Sequence, residues 1–235
     1  MASEPVPPSA IDFHDQRADR WSSGYRTSAH FARRACDWRA ALHDHLAPGS
    51  ILLDVGCGSA DLSVIAARLG ATLTCVDGSP AMIEQARKTL APIAPTASLL
   101  VANAASLPLQ TAQFDAVMAS SLVEYLDPLI PTLIEIRRVV RPGGLFLCTV
   151  PNPGSLYRRL EGVALRLTGR PAYRRHVNPD IYRGDFTSAL RAAGFDVIET
   201  RHTGLPPRFG NGRLATIAER HPLLATMTLF VSRAI

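Results

Sequence analysis

Ile51-Leu52-Leu53-Asp54-Val55-Gly56-Cys57-Gly58 is an apolar run that ends on two glycines, and a second apolar run, Thr72-Leu73-Thr74-Cys75-Val76, ends on Asp77. A short apolar run bounded by turn residues reads as a strand buried on both faces. Glycines directly after it let the chain turn tightly into a helix and let a ligand lie against the main chain. An acid closing the next strand can accept hydrogen bonds from ribose hydroxyls. Glycine pairs close many loops, so the pair alone says little. Strand, glycine turn, helix, strand and acid in this order point to a nucleotide-shaped cofactor.

The residues after Gly58 narrow the ligand. A dinucleotide fingerprint adds a third glycine and sets a pyrophosphate on the helix N-terminus. Here Ser59, Ala60 and Asp61 follow instead. An acid at the start of that helix repels a pyrophosphate but suits a cationic ligand with an amino-acid head, as in S-adenosylmethionine. The run Leu52 to Gly58 resembles the first motif of class I S-adenosylmethionine-dependent methyltransferases, and Arg141-Pro142-Gly143-Gly144-Leu145 fits that family's hinge before strand five. The resemblance covers nearly the whole chain. It implies an α/β, Rossmann-like, seven-stranded and mostly parallel sheet with helices on both faces, N-terminal helices and a helical lid.

Composition agrees. With 235 residues, 47% hydrophobic and 19% charged, the chain can bury a sizeable core. Residues 1–10 are rich in proline and small residues and lack the basic and apolar order of a signal peptide, so a flexible tail is expected there, with a single domain over 11–235. No run reaches the ~20 apolar residues of a membrane span. Cys36, Cys57, Cys75 and Cys148 show no metal-ligand spacing and read as reduced thiols of a cytoplasmic protein with no metal centre. The net charge of +5 comes from 25 basic and 20 acidic residues. Arginines gather at Arg158, Arg159, Arg166, Arg170, Arg174 and Arg175 with no aromatic platform beside them. That pattern fits a solvated helix, an anionic substrate or a peripheral membrane contact better than nucleic acid.

Along the chain, an amphipathic helical region spans 11–47 with Trp21, Tyr25, Phe31, Trp38 and Leu42 as anchors, broken by Pro48-Gly49. Strands are expected at 50–55, 72–76, 97–101, 114–120, 144–150, 196–201 and 225–232, the last antiparallel. Helices are expected at 61–69, from Pro80 to about 90, at 129–140 and at 185–193. Residues 152–182, with Pro171 and Pro179, interrupt the rhythm and read as a lid over the strand ends.

In an open parallel sheet the ligand lies outside the C-terminal strand ends. Asp54, Gly56, Gly58, Asp77, Gly78, Asn103, Ala104 and Ser120 fall there. Gly56 and Gly58 allow close backbone approach, Asp54 orients the loop or meets the methionine ammonium, and Asp77 receives the ribose hydroxyls or caps a turn. Asn103 stands where the family's adenine-side motif usually has Asp, and an amide can still serve the adenine edge. Met82 packs on adenine or sits in the core. Arg20 to Tyr25 resembles the stretch that closes over the cofactor in small-molecule methyltransferases, which makes Tyr25 a cofactor contact or an aromatic staple.

Methyl transfer is an in-line displacement at a sulfonium, so the protein must align the reactants and, for a hydroxyl acceptor, remove a proton. Ser121 to Leu126 and Arg201 to Leu205 look similar to ubiquinone-pathway O-methyltransferases. Those enzymes flank the matching glutamate with an acid and a histidine, where this chain has Ser121 and Tyr125, so no metal site is expected on Glu124. Glu124 is a candidate base, substrate contact or helix cap. His176 among the lid arginines is a second candidate base, and His202 a third. The expected activity is methylation of a small molecule at a hydroxyl of an aromatic, quinone or secondary-metabolite scaffold. Nitrogen or carbon acceptors, a nicotinamide dehydrogenase, a non-catalytic cofactor-binding subunit and a nucleic-acid methyltransferase are the alternatives. Asn152-Pro153-Gly154 lacks the aromatic of a flipped-base motif.

Overall fold

The computed structural model describes residues 28–168, 177, 178, 181, 185–205 and 221–235. Helix α1 (Ala29–His45) leads into β1 (Ile51–Val55), α2 (Ser63–Arg68), β2 (Thr72–Asp77), α3 (Pro80–Leu90) and β3 (Ser98–Val101). The second half runs β4 (Phe114–Ser120), a 3-10 turn (Val123–Tyr125), α4 (Leu129–Val139), β5 (Val140–Pro151), α5 (Leu156–Thr168), α6 (Phe186–Ala192), β6 (Phe195–Thr203) and β7 (Met227–Ala234). The seven strands form one sheet in the order β3-β2-β1-β4-β5-β7-β6. Strand β7 is antiparallel to both of its neighbours, and the pairs β1–β2, β1–β4, β2–β3 and β4–β5 are parallel. Among the described residues no helix is long and apolar enough to cross a membrane.

The two-residue period of a strand decides which core each side chain joins. Leu53 and Val55 point into the cluster that holds Phe146, Phe195, Leu133 and Ile136, beneath α4 and α6. Leu52 points the other way, into the cluster of Trp38, Leu42, Ile65 and Leu90 supplied by α1, α2 and α3. Burial on both faces is why β1 and β4 read as largely apolar runs, interrupted only by Asp54 in β1 and by Asp115 and the terminal Ser120 in β4. Helix α3 starts on a proline, and its Ser79 cap accepts a bond from Met82 N at 3.0 Å. Helix α1 is tied to β6 by His45 Nε2 to Glu199 Oε2 at 2.7 Å and Arg201 Nη2 to Asp44 Oδ2 at 2.8 Å. Arg201 and His45 together hold the Glu199 carboxyl down at about 2.

One expectation is corrected. The Pro142-Gly143-Gly144 hinge does not precede β5; it lies inside it. Pairing jumps from Phe114 opposite Val140 to Ala116 opposite Leu145, so the loop bulges out between two paired stretches of one strand. Gly144 permits this, because a Cβ there would lie 2.9 Å from the carbonyl oxygens of Arg141 and Asp115. Of the expected N-terminal helical region, α1 is described; residues 11–27, with Trp21 and Tyr25, lie outside the described residues.

Trp38 is fully buried between α1 and the sheet. Trp38→Ala is expected to lower the unfolding free energy by about 3–5 kcal/mol, measured by urea denaturation. A loss below about 1 kcal/mol would mean that α1 does not share the core.

Candidate active site

Strands β1 and β4 are neighbours whose connections leave in opposite directions, and at such a point the C-terminal strand ends open a crevice. A cleft of about 370 Å³ lies there. Its floor is the turn after β1. Gly56 N and Cys57 N both donate to Val76 O, at 2.7 and 3.1 Å, which folds the turn back onto β2. Gly56 has φ +71°, and a Cβ on it would lie 2.9 to 3.2 Å from the Leu122 side chain. Glycine is required there by both backbone and space.

Asp77 ends β2 and fastens two turns at once. Gly58 N donates to its Oδ2 at 2.8 Å and Ser79 N to its Oδ1 at 2.9 Å. Asp54 is buried, and the Ser63 hydroxyl donates to its Oδ2 at 2.6 Å. Burial pushes the Asp54 carboxyl up to about 7; the Ser63 hydroxyl and Arg34 pull against that, while the Asp77 charge adds to it. Asp61 also lines the cleft, with Ser59 Oγ donating to its Oδ2 at 2.5 Å. An end carrying Asp54, Asp61 and Asp77 repels a pyrophosphate and favours a cation.

The other walls come from β3, α3 and β4. Asn103, exposed at the rim, accepts from Ala105 N at 2.9 Å through Oδ1, a turn that presents Ala102 to Ala105 to the cleft. Met82 is buried and lines the cleft as well. Gly78 and Ala104 line it too. Ser120 Oγ accepts from Arg34 Nε at 3.1 Å and Arg34 Nη2 at 2.6 Å, which brings a guanidinium from α1 into the cleft wall.

Ser121 follows β4 with φ +52°, and its N–H donates to Thr149 Oγ1 at 3.0 Å. A non-glycine residue held at positive φ is strain of the kind kept at functional sites. Ser121 and Tyr125 line the cleft. Glu124, between them in the 3-10 turn, is buried, and its Oε2 has no hydrogen-bond partner among the described residues. Burial pushes its carboxyl up to about 7, opposed by its own backbone N–H, by Arg34 and Arg158, and by the Ser121 hydroxyl.

Tyr25 and His176 lie outside the described residues, as do Arg174 and Tyr182. His202 belongs to β6, its Nδ1 3.4 Å from Thr228 Oγ1. Among the described residues no group of His, Cys, Asp and Glu is arranged to hold a metal. Sequence reasoning missed Arg34 and His30 of α1. Burial lowers the His30 imidazole, as do Arg34 and Arg158, while the Leu205 carbonyl pulls it back up. No motif marks either residue, because their partners on β4, on α5 and just after β6 are brought to them only by the fold.

Residues 53–148 match the family described as "Methyltransferase domain". The malonyl-[acyl-carrier protein] O-methyltransferase of Serratia marcescens is 28% identical over 202 residues, 74% of each chain. A ubiquinone biosynthesis O-methyltransferase of Cereibacter sphaeroides is 28% identical over 159 residues, which are 65% of this chain and 63% of that protein. This chain therefore spans less than two thirds of the second relative. The solved structure of an S-adenosylmethionine-dependent methyltransferase from Thermotoga maritima, described as a possible histamine N-methyltransferase, has a TM-score of 0.67 at 16% identity, covering 96% of this chain and 99% of that one. At that identity it shares the fold.

The raised Asp54 carboxyl makes stability depend on pH. The folded chain holds this proton more tightly than the unfolded chain, so the stabilising contribution is complete below about pH 4 and disappears as the pH climbs to about 7. Glu124 acts in the same sense. Asp54→Asn should reduce the decline of the urea midpoint across that window; an unchanged slope would mean that Asp54 titrates as an exposed acid.

Proposed function

We propose that this chain, whose residues 53–148 match a methyltransferase domain family, is a class I S-adenosylmethionine-dependent methyltransferase that moves a methyl group to a hydroxyl oxygen of a small aromatic, quinone or secondary-metabolite acceptor. The observation that carries the reading is the cleft at the β1–β4 crevice, lined by Asp54, Asp61 and Asp77 around the glycine turn and by Ser120, Ser121 and Tyr125 after β4, with Glu124 buried in the turn between Ser121 and Tyr125. Both O-methyltransferase relatives are named for transfer to oxygen, which supports an oxygen acceptor over nitrogen or carbon.

The residues fit the cofactor. In this reading Asp54 meets the methionine ammonium, Arg34 beside Ser120 meets the carboxylate, and Asp77 and Gly78 receive the ribose. Met82, Ala104 and Asn103 take the adenine, and Gly56 and Gly58 leave room for main-chain approach. Tyr25 closes over the bound molecule. When bound, the cofactor supplies an electrophilic methyl on a sulfonium. The protein aligns the acceptor oxygen, keeps water out and takes the hydroxyl proton. Glu124, with a carboxyl near 7, suits that last task at neutral pH. His176 is the second candidate. Residues 11–235 act as one domain, with 11–47 and the lid at 152–182 shaping the acceptor side.

Calorimetric titration is expected to show about micromolar binding of S-adenosylmethionine, about tenfold or more weaker in Asp77→Ala. Because an ammonium favours the charged form of Asp54, binding near pH 6.5 should release up to about one proton, seen as a dependence of the heat on the buffer, and Asp54→Asn should abolish it. No binding would overturn the reading. With phenols, quinols and amines offered as acceptors, methylated oxygen is the expected product. Glu124→Gln should lower kcat about 100-fold or more while leaving cofactor affinity intact. Cofactor binding without turnover on any acceptor would favour a non-catalytic cofactor-binding subunit.

A further inference from the structure

Helix α5 presents an outward face that leaves large apolar side chains in solvent. Leu156, Leu160, Val163 and Leu167 are 56, 59, 54 and 80% exposed. At 3.6 residues per turn they fall within about 60° of the helix circumference. Single exposed leucines are ordinary, but four in one stripe are a patch. The patch continues onto Leu223, 55% exposed, whose carbonyl accepts from Leu156 N at 2.9 Å.

The charges around the stripe say what it fits. Arg159 and Arg166 are exposed, and both lie on one flank, about 80° from the stripe's centre. The helix's acid, Glu161, is turned inward, where Arg158 Nη1 donates to it at 2.9 Å. The outward face therefore carries leucines, a valine and two guanidiniums, with no carboxylate. Apolar insertion beside cationic anchoring is the chemistry of an anionic lipid surface. The position agrees. On the inner side Arg158 donates to Thr226 O at 3.0 Å and to Met227 Sδ at 3.1 Å, and its charge acts on Glu124. Met227 pairs with Pro151, so α5 sits at the strand-end edge onto which the cleft opens.

We propose that α5 is an interfacial anchor that seats the protein on an anionic lipid bilayer through the Leu156–Leu167 stripe and the Arg159 and Arg166 guanidiniums. An acceptor dissolved in the bilayer would then reach the cleft without crossing bulk water. The anchor goes beyond methyl transfer and does not rest on it, because lipid binding is read without acceptor or turnover.

The test is cosedimentation of the purified chain with vesicles of phosphatidylcholine alone and of phosphatidylcholine mixed with phosphatidylglycerol. Two exposed-face variants accompany it, Leu160→Glu with Leu167→Glu, and Arg159→Glu with Arg166→Glu. Neither pair belongs to the cleft, and thermal melts with S-adenosylhomocysteine affinity verify that both variants fold. Wild type is expected to pellet with the anionic vesicles and to be weakened by salt, with each variant pair binding about tenfold or more weakly. The proposal is overturned if wild type ignores both vesicles, if neutral and anionic vesicles bind it equally, or if either variant pair binds as wild type does. A lipid-free dimer that Leu160→Glu with Leu167→Glu dissociates would also overturn it, making the stripe an interface between two copies.

Discussion

The carboxylate of Asp77 holds the functional end of this molecule together. It stands at the end of β2 and takes one backbone N–H from the turn after β1 and another from the start of α3. Two charge-assisted bonds to main-chain donors fasten two turns to one strand end. With Gly56 and Cys57 both bound to the Val76 carbonyl, the turn is locked from two sides. The cleft follows from that lock, since its floor is this turn and its walls are the neighbouring strand ends.

The cost of the arrangement is carried by two buried acids. Asp54 and Glu124 each lie in surroundings that disfavour the charge, and a lone buried carboxylate is expensive enough that the group keeps its proton instead. Each is partly relieved by cations from other elements, Arg34 of α1 for both and Arg158 of α5 for Glu124. A carboxyl that titrates close to neutrality can change charge when a ligand arrives, which an exposed acid of ordinary pKa cannot do. Helix α1 is thus more than a cover for the sheet. Trp38 and Leu42 anchor it in the core, Glu199 and Arg201 grip its C-terminal end, and one turn before Trp38 it delivers Arg34 to Ser120. Helix α5 has a comparable division, with Arg158 facing the strand ends and leucines facing solvent.

The order of strands and helices was legible in the chain because β1, β2, β4 and β5 lie in the interior of the sheet, so each is written as a short apolar run bounded by glycine, proline or an acid. The same logic located Asp54, Gly56, Gly58 and Asp77, since a strand end that turns into a helix leaves a local signature. The bulge in β5 was not legible: Pro142-Gly143-Gly144 reads as a break, and only the pairing on either side shows that the strand resumes in the same ladder. Taken alone, the sequence determined the fold class, the glycine turn and the acids that close its strands, because each depends on residues adjacent in the chain. The tertiary structure alone decided that Arg34 meets Ser120, that Glu124 is buried where the charges of Arg34 and Arg158 act on it, and that the leucines of α5 face outward. Those outcomes depend on contacts between distant elements and on which face of a helix the core leaves uncovered, and neither is encoded at any single stretch.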